Sequence, residues 1–296
     1  MILIAGATGR LGGLITRLLL EKGEDVRALV RDESAGVELK DAGASLAVGD
    51  LRDRDSLIRA CSAVDAVITT ANSMSRTGED TVESVDKLGN LNLIDAAAAQ
   101  GVQRFVFLST LGAATDSPMP FMQAKAEAEE RLWASGMRAT VLRPNFFMQT
   151  VPATVIGGPA LAGQPVTVAG EGRRRHSFVS MADVARYAIA ALEYDEAAGQ
   201  TLTIGGPEPV SLRDFIVAFE RELGRELTVN FVPIGTDIPG IPPIFIQLMA
   251  AMETFDSPIP MGELASRYGV EPTSVEHFVH AFAAAANQEN RTRQPQ

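Results

Sequence analysis

Phe121 and Lys125 stand four positions apart in the stretch P-F-M-Q-A-K. On a helix, that spacing puts both side chains on one face. A tyrosine at the first position would be a proton donor, with a cation beside it to lower its pKa. This chain has a phenyl ring with no hydroxyl, and Tyr187, Tyr194 and Tyr268 lie far along the sequence. His176 follows Arg173, Arg174 and Arg175 and is a candidate proton donor; the arginine run itself reads as a solvated loop or an anion-contacting turn. His277 and His280 share a helical face, but no carboxylate or cysteine ligand set accompanies them, so packing or surface roles are expected and no metal site. The single cysteine, Cys61, sits among Leu57, Ile58 and Ala60 and reads as a small buried hydrophobe, which leaves no intrachain disulfide.

A regular scaffold must position these groups. Short apolar runs recur at Met1–Ala5, Val26–Val30, Ser45–Val48, Ala66–Thr70, Phe105–Ser109 and Ala139–Leu142. Stretches of helical period lie between them, such as Leu11, Leu14, Ile15, Leu18 and Leu19. Gly23, Gly43, Gly101 and Gly136 each stand between a helix and a strand, as left-handed C-caps. Alternating strands and helices with near-continuously apolar strands predict an α/β fold: a Rossmann-type doubly wound parallel sheet. After about residue 145 prolines enter, and the pattern predicts strands at Val166–Val168, Ser177–Val179, Gln200–Ile204 and Leu227–Val232. Helices are expected at Ala182–Leu192, from the cap Ser211 to Leu223, around Phe245–Met252, and from a cap at Thr273. The expected division is a dinucleotide-type domain over 1–150, a smaller C-terminal α/β lobe over 151–286 with some segments free to return to the main sheet, and a disordered tail over 287–296.

The first strand runs directly into G-A-T-G-R-L-G, with Gly6, Thr8, Gly9, Arg10, Leu11 and Gly12 opening an amphipathic helix. Gly6 suits a tight turn, Gly9 a close backbone approach to a pyrophosphate, and Gly12 close packing of helix on sheet. The spacing is G-x-x-G-x-x-G rather than the commoner G-x-G-x-x-G, but its place between strand and helix makes a dinucleotide the expected ligand. The second strand ends at Arg31, whose planar fork suits a ribose 2′-phosphate. Arg10 adds charge. NADP(H) is therefore favoured over NAD(H), while Asp32 keeps the alternative open. The third strand ends at Asp50 and Leu51, where an adenine would rest. Thr70, Ala71 and Asn72 end the fourth, and Ser109 the fifth, all at carboxyl ends where such sheets bind ligands.

Net charge is −11 over 296 residues. That balance argues against nucleic acid as a partner. No run approaches the ~20 apolar residues of a membrane span, and the N-terminus lacks a basic leader. A cytoplasmic setting with a small-molecule substrate is expected; oligomeric state is left open.

The order of G-A-T-G-R-L-G, V-R-D, G-D-L, Lys125 before E-A-E-E-R-L, V-L-R-P-N-F-F-M and F-V-S-M-A-D-V-A resembles the NmrA-like family, atypical short-chain dehydrogenase/reductases. The layout is similar to the NADPH-dependent quinone reductases and triphenylmethane reductases of that group. The resemblance implies a Rossmann-type domain and a small lobe with substrate in the cleft between. It implies an NADP(H) held by the glycine loop, Arg31, Asp50, Leu51, Thr70, Ala71, Asn72 and Lys125. It also implies that Asn145, Phe146 and Phe147 face the nicotinamide. Phe121 stands where the standard enzymes have their tyrosine acid, so Lys125 is left a ribose-positioning role. Phe121, Phe146, Phe147 and Met148 would suit a flat aromatic or quinone-like acceptor, one that takes hydride without a side-chain acid. The apolar, proline-bounded C-terminal lobe favours an enzyme. The alternative is a non-catalytic NADP(H)-binding redox sensor. A sugar-nucleotide epimerase ranks below both, because it too would want the tyrosine.

Overall fold

The computed structural model describes residues 1–74 and 78–293. The apolar runs form strands β1 (Ile2–Ala5), β2 (Val26–Val30), β3 (Ser45–Val48), β4 (Ala66–Thr69), β5 (Arg104–Leu108) and β6 (Arg138–Pro144). The stretches of helical period form α1 (Arg10–Glu21), α2 (Val37–Asp41), α3 (Arg54–Ala60), α4 (Leu88–Ala99) and α5 (Pro120–Trp133). Then come α6 (Gly158–Ala162), β7 (Val166–Ala169), α7 (Met181–Glu193), β8 (Gln200–Ile204), α8 (Leu212–Leu223), β9 (Val229–Val232), α9 (Pro243–Met252), α10 (Gly262–Tyr268) and α11 (Val275–Arg293). The chain divides into two units. One is Met1–Pro144 with Val184–Thr203; the other is Asn145–Asp183 with the chain from Ile204 onward.

The first unit is built on a seven-stranded sheet in the order β3-β2-β1-β4-β5-β6-β8. Pairings from β3 through β6 are parallel. Every residue of β1 and β4 is buried, as strands covered on both faces must be. β3 lies at an edge, where Val48 is left exposed. Strand order reverses between β1 and β4. That reversal is the topological switch point, and it opens a crevice at the carboxyl ends of the strands. Gly23, Gly43, Gly101 and Gly136 all take positive φ, the left-handed conformation expected of them. Cys61 is fully buried, and burial pushes its thiol up to about 11.

Two expectations of the sequence are corrected along this sheet. The first domain ends at Pro144, and the chain comes back to it over Val184–Thr203. Gln200–Ile204, expected in the small lobe, is the seventh strand, beside β6. Gly199 N–H donates to Ala139 O at 2.7 Å, and Asn145 N–H to Ile204 O at 2.8 Å, so β8 runs in the direction of β6. Long-range polar groups hold the returning segment. Thr140 Oγ1 donates to Ala197 O at 2.8 Å, and Arg104 to Leu192 O at 2.6 Å. Arg104 and Arg138 both pair with Asp195. A local apolar pattern cannot reveal such partners, which is why the sequence left open which segment of the small lobe returns to the main sheet.

The second unit packs around a separate apolar cluster that includes Met148, Phe178, Phe215, Phe219 and Phe278. Phe178 meets Phe215 edge-on at 5.1 Å, and Phe215 meets Phe278 at 6.2 Å, the geometry aromatic quadrupoles prefer. β7 and β9 form a two-stranded parallel sheet. Ser177–Val179 makes isolated bridges through His176 and Val179 instead of the expected strand. Ser211 caps α8 in a reciprocal box with Asp214. The cap of α11 is Ser274, whose Oγ accepts from His277 N–H at 3.2 Å; Thr273 is taken by Asp183. The expected tail is corrected too. The helix runs on to Arg293, and residues 294–296 lie outside those described. Among the described residues no helix is long and apolar enough to cross a membrane, and no group of three or more side chains is placed to hold a metal.

Candidate functional site

The glycine loop is built by close approach. A Cβ at Gly12 would lie 2.2 Å from the Gly6 carbonyl oxygen, and one at Gly6, which has φ +82°, would lie 2.7 Å from Thr70 Oγ1. Only hydrogen fits at either place, so loop, helix and the end of β4 are in direct backbone contact. Gly9 is the N-cap of α1 and provides no side-chain cap, and no acidic residue stands in the first turn. The first amides and the positive end of the helix dipole are thus not capped by a local side chain.

A cleft opens beside this loop. It is lined by Gly6 and Thr8 from the loop, Arg31, Asp32 and Ala35 after β2, Asp50 and Leu51 after β3, and Ala71 and Asn72 after β4. Asp80 and Val85 complete it. The expected site residues Gly6, Thr8, Arg31, Asp50, Leu51, Ala71 and Asn72 therefore meet in one place. Gly9 and Arg10 are exposed on the same loop, while Leu11 and Gly12 are buried beneath it.

The charges at this mouth are already engaged. Arg31 Nη1 donates to Asp80 Oδ2 at 2.8 Å. Arg52 grips Asp50 with Nε at 3.0 Å and Nη2 at 2.7 Å, and donates from Nη1 to Glu79 at 2.9 Å. The Arg52 guanidinium holds the Asp50 carboxyl below its usual range. Asp32 accepts from the Ser34 hydroxyl and from Ala35 N–H, and these two bonds lower its pKa. Asp32 thus caps the turn at Glu33–Gly36. Asp80, Arg52 and Glu79 were not legible as site residues. Asp80 and Glu79 find their arginines 49 and 27 residues away, and Arg52 joins the site through Asp50, two residues before it.

Several expected site residues are turned inward. Thr70 is buried, its hydroxyl held weakly toward the carbonyls of Ala5 and Gly6. Ser109 is buried and its hydroxyl donates to Glu129. Glu129 is in turn gripped by Arg143, Nε to Oε1 at 3.0 Å and Nη2 to Oε2 at 2.5 Å. Lys125 is 2% exposed and is absent from the cleft lining. Its ammonium donates to Leu108 O at 3.2 Å and Ala71 O at 3.5 Å, and lies 3.6 Å from Asp86 Oδ1. Burial lowers its pKa below the usual value, against the opposing pull of Asp86. The Phe121 ring lies 5.5 Å from the same ammonium and the Phe107 ring 5.0 Å, so phenyl faces occupy its flank. Asp86 is fully buried. Its Oδ2 accepts from Ser73 N–H at 3.0 Å and Ser73 Oγ at 2.5 Å, while Oδ1 has no hydrogen bond among the described residues and lies 3.6 Å from the Lys125 ammonium. Lys125, expected to position the ribose, is held to the Ala71 carbonyl behind the cleft wall.

In the second unit Asn145 is buried and serves Ser257, donating from Nδ2 to Ser257 O and Oγ, both at 3.0 Å. His176 is 1% exposed. Its Nε2 lies 3.1 Å from Met252 O, which only accepts, so the proton belongs on Nε2. Its Nδ1 then accepts from Ser257 Oγ at 2.7 Å. Burial lowers its pKa, and both nitrogens are spent inside the unit. The proton-donor role expected of His176 is not supported. Met148 is a core residue, which removes it as a substrate contact. Phe146 is half-buried, edge-on to the His176 ring at 5.0 Å, and Phe147 is half-buried at a bridge to Val179. Arg173, Arg174 and Arg175 pair with Glu171, Asp256 and Asp214, as a solvated loop would.

The family model for NmrA-like proteins matches residues 1–280. The chain belongs to the NmrA-like family. Among its curated relatives is a photosystem II assembly factor Ycf39 of Cyanophora paradoxa, 33% identical over 235 residues, or 79% of this chain and 72% of that one. Another is an NAD(P)H azoreductase of Xenophilus azovorans, 31% identical over 239 residues, or 79% and 77%. The triphenylmethane reductase of Citrobacter sp., solved with NADP(H), superposes with a TM-score of 0.80 at 19% identity, over 95% and 99% of the two chains. At that identity the likeness is one of fold, and it agrees with the doubly wound sheet of this NmrA-like chain.

Proposed function

We propose that this chain is an NADP(H)-dependent reductase that passes hydride to a small, flat, conjugated acceptor of the aromatic or quinone class, with no tyrosine acid. The observation that carries the reading is the cleft at the topological switch point, where the glycine loop and Arg31 meet. The fit of a dinucleotide rests on this chain's own geometry: a loop where a Cβ at Gly6 or Gly12 would collide, and helix amides with no side-chain cap. Gly9 and the first turn of α1 would take the pyrophosphate. Leu51 and Asp50 would flank the adenine, Arg31 the ribose 2′-substituent, and Asn72 the passage toward the nicotinamide. When bound, such a cofactor supplies a hydride, two electrons with one proton.

The rest follows from what the chain withholds. Phe121 offers no proton, and Lys125 and Ser109 are committed to internal partners. A quinone or an azo group accepts hydride to give a stabilised anion that water can protonate, and a conjugated cation accepts it to give a neutral product that needs no proton. The protein's share is then positioning and exclusion of water. The name of the azoreductase relative supports this class of acceptor. A second reading, a dinucleotide-binding regulatory protein, is favoured by the same inward-turned groups and by the assembly-factor relative. The cofactor part is tested by titrating NADPH and NADH into the wild type and Arg31→Ala. NADPH affinity is expected to fall by about tenfold, the scale of one charge-assisted contact, with NADH changed much less. An equal loss for both would remove Arg31 from the 2′-phosphate.

A further inference from the structure

We infer that Asp80 is a specificity-determining residue: its carboxylate occupies the Arg31 fork where a ribose 2′-phosphate would bind, and so handicaps NADPH relative to NADH. This rests on the reading that the cleft holds a nicotinamide dinucleotide. Arg31 ends β2 and would by itself favour the phosphorylated cofactor. It does not stand by itself. Its Nη1 is 2.8 Å from Asp80 Oδ2, and both residues line the cleft. The Asp80 side chain is 10% exposed against 53% for Arg31, so the acid is the fixed partner and the arginine the one that reaches to it.

The surroundings sharpen the effect. Arg52 is shared between Asp50 and Glu79. Among the described residues, Asp80 thus pairs with Arg31, while Asp50 and Glu79 share Arg52. A 2′-phosphate arriving at Arg31 meets a guanidinium whose Nη1 is already given to a carboxylate, so it must share the cation with a like charge. A 2′-hydroxyl meets no such opposition and can donate to the carboxylate. The acid comes from the segment that follows β4, 49 residues from Arg31, where no reading of the β2 end would find it.

The test is Asp80→Asn, an isosteric change that keeps an acceptor and removes the charge, with Asp80→Ser as the second variant. Thermal melts confirm that each variant is folded. NADPH and NADH dissociation constants are measured by titration on wild type, on each variant, and on Arg31→Ala with and without Asp80→Asn. The expected result is NADPH binding tightened about fivefold or more, NADH within about twofold, and no gain once Arg31 is absent; the fivefold corresponds to one partly exposed ion pair of about 1 kcal/mol. Unchanged NADPH affinity, equal shifts for both cofactors, or a gain that persists without Arg31 would each overturn the inference. If the wild type binds neither cofactor, it is the dinucleotide reading that fails.

Discussion

Gly12→Ala is expected to abolish cofactor binding at ordinary concentrations. The new methyl carbon would sit 2.2 Å from the Gly6 carbonyl oxygen, 2.7 Å from its carbon and 2.8 Å from Thr70 Oγ1. Two of these are backbone atoms and cannot swing away. Either α1 lifts from the sheet or the Gly6 turn opens, and Gly6 sits in a conformation that few other residues adopt. Both movements carry the first-turn amides away from where a pyrophosphate would sit. Losing two or more charge-assisted amide contacts to a pyrophosphate, at about 1.5–3 kcal/mol each, costs on the order of 100-fold or more in affinity. Overpacking adds a stability loss of about 1–3 kcal/mol. Gly262→Ala is the control, since a Cβ there meets nothing within 4 Å. NADPH titration with denaturant melts checks both numbers. Near-wild-type binding by Gly12→Ala would show that the loop is not the cofactor's seat.

The second large effect is at Asp86. Asp86→Ala leaves the Lys125 ammonium in a site 2% exposed, hydrogen-bonded to two carbonyls and without its ion-pair partner. Removing one member of a buried ion pair costs about 3–5 kcal/mol, because the remaining charge stays desolvated. The pH dependence has a definite sign. Burial already places the Lys125 pKa below its ordinary value, and losing the Asp86 charge lowers it further. The unfolded chain titrates at about 10.4. Between the folded and unfolded values the folded form has shed a proton that the unfolded form keeps, so folding is favoured as pH rises. The penalty of Asp86→Ala is therefore greatest below the folded pKa and shrinks toward alkaline pH. Urea unfolding at neutral and alkaline pH reads this directly. A loss under about 1 kcal/mol, the size of an ordinary surface change, would contradict the pair's role, as would a loss that grows with pH.

The difference between these two sites explains what the sequence could reveal. The glycine loop was legible because backbone contact admits no side chain, and a residue type records that demand at fixed spacing. The parallel sheet was legible for a similar reason: strands buried on both faces leave near-continuous apolar runs, and Gly23, Gly43, Gly101 and Gly136 mark their joints. Arg31, Asp50 and Ala71 followed from topology, since each ends a strand beside the switch point. Partners joined across long loops left no such record. Asp86 for Lys125, Glu129 for Ser109 and Asp80 for Arg31 are ordinary acids in sequence, and Glu129 sits inside what reads as an exposed acidic run. His176, a candidate proton donor after its three arginines, is a like case: Met252 and Ser257, 76 and 81 residues on, engage both of its ring nitrogens. That β8 is the segment that returns to the main sheet was not legible, because strand pairing is itself a long-range contact.

Phe121 keeps its place at the centre of the account. Its ring flanks a lysine that is held inward by Leu108, Ala71 and Asp86, so neither residue is arranged to deliver a proton. The decisive measurement is NADPH oxidation, followed by loss of dihydronicotinamide absorbance, with a panel of quinones, azo compounds and simple ketones as acceptors. The account predicts turnover with the conjugated acceptors and none above background with the ketones. Tight NADPH binding with no turnover on any acceptor would contradict it and leave the chain a binding protein.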